Sequence, residues 1–99
     1  MRGLEELDEL DRVFGALAHR TRRAILVTLM ANGGTMASGN IAGGMNNTWQ
    51  TTSRHLRVLE EAGLVKITLQ GRGHVYTLQA GPMRTLLAIW LRRFDDPKT

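Results

Sequence analysis

The sequence predicts a mainly α domain carrying one small β-hairpin, an α+β arrangement of about five helices and two strands. Three observations predict it. Apolar side chains recur at helical spacing through residues 4–31 and again through 82–94. Residues 47–63, NTWQTTSRHLRVLEEAG, divide into an apolar and a polar side when placed at about 100° per step. Residues 64–78 alternate apolar and polar around Gly71-Arg72-Gly73, the pattern of two strands and a turn.

Ninety-nine residues suit one domain, 1–99, with a single modest core. A hydrophobic share of 42% excludes wholesale disorder. The absence of cysteine removes disulfides and thiolate metal sites, and fits a reducing cytoplasm. MRGLEELDEL is acidic and amphipathic, so no signal peptide is expected, and no apolar run is long enough to span a bilayer. The net charge of +4 conceals an asymmetry. Five of nine acids lie within residues 5–11, whereas residues 12–94 hold eleven Lys or Arg against two acids, a net of +9. Such a body attracts polyanions. It lacks the basic amphipathic helix with aromatic anchors that a membrane surface would need.

The first helix, 4–18, carries Leu4, Leu7, Leu10, Phe14 and Leu17 as a stripe long enough to serve a partner helix as well as the core. The second, 19–31, turns Ile25, Leu26, Leu29 and Met30 inward, with Thr21 a candidate cap unless the helix starts a residue or two earlier. Arg20, Arg22 and Arg23 crowd its first turn, where the helix dipole disfavours cations; phosphate or water would relieve that cost. After Asn32-Gly33-Gly34, residues 35–43 form a short helix weakened by Gly39 and Gly43, with Ile41 and Met45 as core anchors. Gly44-Met45-Asn46-Asn47 is a tight turn, Asn46 tolerating a left-handed backbone.

The helix of 47–63 follows, capped by Asn47 or Thr48 and stopped at Gly63. Trp49, Thr52, Leu56, Leu59 and Gly63 share a core side. Gln50, Arg54, Arg57 and Glu61 share the other side, flanked by Thr51 and Ser53. A solvated helix surface would mix acids and bases, but here both acids, Glu60 and Glu61, come at the end. The leading turns offer amide, hydroxyl and guanidinium groups, which bond to base edges and phosphates. Two helices joined by a short turn, the second bearing such a face, make a helix-turn-helix over 35–63. The hairpin of 64–78 is its wing, with Arg72 at the tip free to enter a minor groove or grip phosphate. Pro82 opens the last helix at its first position, and Met83, Leu86, Leu87, Ile89, Trp90, Leu91 and Phe94 leave more apolar surface than a small domain can cover.

ALAHRTRRAIL (16–26), TTSRHLRVLEEAGLV (51–65) and GRGHVYTL (71–78) resemble the three signature stretches of the ArsR/SmtB family of bacterial winged-helix transcriptional repressors. The resemblance covers nearly the whole chain in the family's order. It implies a homodimer paired through helices 4–18 and 82–94, with Leu4, Leu7, Leu10, Phe14, Leu86, Ile89, Trp90 and Phe94 at the interface. It implies recognition helices in successive major grooves of double-stranded DNA and repression at an imperfect inverted repeat. The family's metal sensors carry paired cysteines where Ala37 and Gly39 stand here, or Asp and His on the last helix, where PMRTLLAIWLRRF has neither. No metal and no cofactor are therefore expected, and any effector is unidentified. Arg20, Asn47 and Trp49-Gln50 depart from the family's usual residues, which bears on the operator rather than the fold.

The expected DNA-binding set joins two groups. Gln50, Thr51, Ser53 and Arg54 would read bases, with Thr48 beside them at the helix start, and Arg54 is the first choice for guanine. Arg22, Arg23, His55, Arg57 and Arg72 would attract phosphate. Trp49 is expected to pack, its place in the first turn leaving room for contact with DNA sugar or methyl groups instead. The rival reading is a winged helix used only for protein association. An enzyme is disfavoured by the lack of cysteine, glycine-rich phosphate loop, nucleophile elbow and paired carboxylates.

Overall fold

In a computed structural model, which describes residues 2–44 and 48–95, the chain runs α1 (Arg2–Leu17), α2 (Arg20–Ala31), β1 (Thr35–Ala37), α3 (Ser38–Gly43), α4 (Trp49–Glu61), β2 (Val65–Gln70), β3 (Gly73–Leu78) and α5 (Ala80–Arg92). The five helices and the hairpin match the predicted class. The expectations for Met45, Asn46 and Asn47 lie outside the described residues.

One core draws on α1 to α4 and the hairpin, while β1 and α5 add only partly buried side chains. Ile25 and Leu29 of α2, Leu56 and Leu59 of α4, Ile41 of α3, and Leu64 and Tyr76 of the hairpin are all buried together. In α1 the inward edge is Leu10, Val13 and Ala16, spaced by three along one side. Leu10, expected at a partner interface, is only 2% exposed and buried within its own chain. Met30, expected inward, is 65% exposed. It lies five residues beyond Ile25, about 140° around the helix, and so leaves the buried face.

The sheet departs most from expectation. Residues 35–37 are a strand, not the start of a helix, and they pair antiparallel with β3 in the register Thr35↔Thr77, Met36↔Tyr76 and Ala37↔Val75. The wing is thus the outer part of a three-stranded sheet ordered β1-β3-β2. The Leu78 amide donates to Gly34 O at 2.7 Å and the Gln79 amide to Leu64 O at 2.8 Å, pinning the sheet to both helix exits. At the far end Gln70 pairs with Gly73 across a two-residue turn. Gly71 there has φ +61°, the left-handed backbone that a tight hairpin demands at its first turn position.

α5 begins two residues earlier than expected, which puts Pro82 third in the helix, still within the turn where no N–H is needed. None of its residues is fully buried. Leu86, expected at a partner interface, packs partly against the chain's own core. Trp90 stands edge-on between Phe14, 6.4 Å away, and Phe94, 5.3 Å away, and both phenylalanines remain exposed. Among the described residues, no helix is long and apolar enough to cross a membrane.

Candidate nucleic-acid interface

The face of α4 is set by its ends. Thr48 is the N-cap: its Oγ1 accepts from the Thr51 amide at 3.2 Å and also donates to Thr51 Oγ1 at 3.1 Å. That resolves the choice of cap within the described residues and satisfies one of the amides a helix start leaves open. At the other end Gly63 takes φ +78°, its amide bonding Glu60 O and the Leu64 amide bonding Leu59 O, both at 2.9 Å. This pair of bonds is the Schellman arrangement, and it turns the chain directly into β2. Between the ends, Thr52, Leu56 and Leu59 are buried, which fixes the helix's rotation.

That rotation exposes Gln50, Arg54 and Arg57, with Thr51 and Ser53 half-buried beside them. No acid interrupts the face before Glu60. Among the described residues one ion pair is formed, Arg93 with Glu6 at 3.3 Å, so none of those residues neutralises Arg54, Arg57 or Arg72. Arg72 is exposed at the wing tip. Trp49, expected to pack, is 43% exposed. It is the first helical residue, and helix side chains lean toward the N-terminus, so its indole projects past the end of the core.

Three of the expected phosphate contacts have intramolecular roles. Arg22 donates from Nε to Ala16 O at 2.9 Å and from Nη2 to Gly15 O at 3.2 Å, and Arg23 donates from Nη1 to Leu17 O at 2.8 Å. These guanidiniums close the C-terminus of α1, where carbonyls lack partners and a cation is favoured. The cost of cations at the start of α2 is thereby offset by the end of the preceding helix. The cap of α2 is His19, not Thr21: its Nδ1 accepts from the Thr21 amide at 3.2 Å. His55 leans on that same ring rather than standing clear of the helix. The two imidazole centroids are 4.5 Å apart, and His55 Nδ1 is buried without a hydrogen-bond partner among the described residues. Burial lowers the His55 pKa below its ordinary 6.5, and His19 and Arg22 lower it further.

A capped helix with an unneutralised polar face, preceded by a short helix and followed by a basic-tipped sheet, defines a winged helix-turn-helix DNA-binding domain. A helix-turn-helix domain family model matches residues 17–68. A possible transcriptional regulator for arsenical resistance, known from its crystal structure, is 31% identical; the match covers 87% of this chain and 86% of that one, with TM-score 0.72. An ArsR-like transcriptional regulator from Rhodococcus sp. RHA1 is 28% identical over 90% and 89%, TM-score 0.72. The homodimeric winged helix-turn-helix DNA-binding domain of a possible ArsR-family regulator from Mycobacterium bovis is 27% identical over 97% and 88%, TM-score 0.74. Comparison with curated proteins gives no match. The chain belongs to the ArsR family of winged helix-turn-helix transcriptional regulators.

Proposed function

We propose that this DNA-binding regulator acts as a homodimeric repressor in the cytoplasm, placing α4 of each copy in successive major grooves of an inverted-repeat operator. The observation that carries the reading is the α4 face itself: Gln50, Arg54 and Arg57 exposed side by side, with no acid among them before Glu60. Arg54 is the guanine reader in this arrangement, Gln50, Thr51 and Ser53 contact neighbouring base edges, and Thr48 caps the helix that presents them. Arg57 and Arg72 supply attraction to phosphate, and Trp49 offers its ring to a thymine methyl or a sugar. Dimerisation follows from the apolar surface left on α1, on α5 and just after it, where Leu4, Leu7, Phe14 and Phe94 are exposed and Ile89 and Trp90 half-buried. The homodimeric M. bovis domain supports the same assembly.

Selection of bound duplexes from a random pool tests this directly. The expected product is an imperfect palindrome with half-site centres about one helical turn apart. Gel shifts at roughly 50 mM and 200 mM salt should then show steep weakening, and Arg54→Ala should erase the preference for operator over random DNA. Enrichment of no sequence at all would favour a protein-association module instead.

A further inference from the structure

We infer that the cavity between α2 and α5 binds a small carboxylic acid with an aliphatic body, a medium-chain fatty acid by class. The cavity has a volume of about 360 Å³, within the range of small-molecule sites. Leu26, Val27 and Met30 of α2 form one wall and Met83 of α5 the other. Val27 and Met30 are among the most exposed large apolar residues of the chain, at 60% and 65%, and both border this space. Two flexible thioethers let the walls close around chains of different length.

The lining also says what the occupant lacks and what it carries. It contains no aromatic ring and, apart from two arginines, no side chain that hydrogen-bonds. An occupant therefore gains nothing from ring stacking or from hydroxyl or amide groups along its body, and a plain hydrocarbon fits best. The two exceptions are Arg23 on α2 and Arg84 on α5, and no acid of the described residues lines the space with them. One N–H of Arg23 is engaged by Leu17 O at 2.8 Å, which holds that guanidinium in place with further donors available. Guanidiniums from two helices bordering one apolar space suit a carboxylate head on an aliphatic body. Under the function proposed above, this is an effector site, since α2 packs against the reading helix α4.

Calorimetric titration of the full chain with octanoate, octan-1-ol and acetate tests the site without DNA, so it can fail while the DNA-binding reading stands. Octanoate should bind once per chain, about tenfold more tightly than octanol, and acetate should give no heat. Arg84→Gln should weaken octanoate about tenfold and leave octanol unchanged. Val27→Glu, at an exposed position, should abolish octanoate binding while circular dichroism stays that of the parent. Equal binding of octanoate and octanol overturns the proposal, as does octanoate binding that survives Val27→Glu. So does a parent that binds no octanoate, including the case where Val27→Glu turns a dimer into a monomer, which would assign the groove to a second copy.

Discussion

The rings of His19 and His55 meet at 4.5 Å and a 50° tilt, joining the cap of α2 to the middle of α4. His19 uses Nδ1 to hold the Thr21 amide, while His55 Nδ1 is buried and unpaired among the described residues. A proton on His55 would place a second charge beside Arg22 in a half-buried space. The fold therefore keeps it neutral, first by burial and then through His19 and Arg22. A base whose pKa is lower in the folded than in the unfolded state supports stability fully above the unfolded value. Here that contribution is complete above pH 6.5 and is lost as pH falls from there through the depressed folded value. Urea midpoints compared at about pH 7.5 and about pH 5.5 should fall further for the parent than for His55→Gln. Equal falls in the two proteins would remove His55 from the account.

Arg22 offers a sharper separation between folding and binding. Its two bonds to Ala16 O and Gly15 O close a helix that has no glycine after it to turn the chain. Charge-assisted bonds to carbonyls are worth more than neutral ones, and one of these two is part-buried. Arg22→Ala should cost about 1–2 kcal/mol in urea unfolding and lower the helical signal. A residue that served only phosphate would behave oppositely. Its loss would leave stability alone and reduce the salt slope of DNA binding by about one.

Thr52 predicts a gain. It is completely buried on α4, and its Oγ1 has no hydrogen-bond partner among the described residues. A desolvated hydroxyl without a partner opposes folding, whereas a methyl group in the same place does not. Thr52→Val should therefore stabilise the domain by about 1 kcal/mol, read as a higher urea midpoint at unchanged slope. Destabilisation would mean that the hydroxyl is satisfied in solution, by water or by the backbone.

What the chain disclosed in advance was local. Gly63 carries its signal within a turn of the helix it ends, the start of that helix is legible only as Asn47 or Thr48, and Ile25 and Leu29 declare a buried face by spacing alone. The failures share a different origin. β1 is three residues long and exists because Thr77, Tyr76 and Val75 lie opposite it, some forty positions away in the chain. Arg22 and Arg23 donate to backbone carbonyls of another helix, whose position depends on how α1 meets α2. A helical wheel places Trp49 on the core side correctly in angle. It omits height, and Trp49 lies beyond the level of Thr52, the first buried residue of α4. The contact between His19 and His55 had no sequence signal at all.

Assembly and base reading fall on different faces of the chain and can be broken separately. Leu91, absent from the expected interface set, is 61% exposed on α5, and Leu7 is exposed on α1. Neither contributes to the buried core, so replacing either by glutamate should leave the single chain folded. In a dimer paired through these helices, each replacement would occur twice about the symmetry axis and bury like charges against apolar surface. Leu7→Glu and Leu91→Glu should therefore sediment as monomers with the circular dichroism of the parent. Their affinity for a two-half-site duplex should fall toward that for a single half-site, because the second contact loses its tether. Arg54→Ala should do the reverse, keeping the dimer and losing sequence preference. Persistence of the dimer in both glutamate variants would place the interface elsewhere on the chain, and with it the spacing expected of the operator.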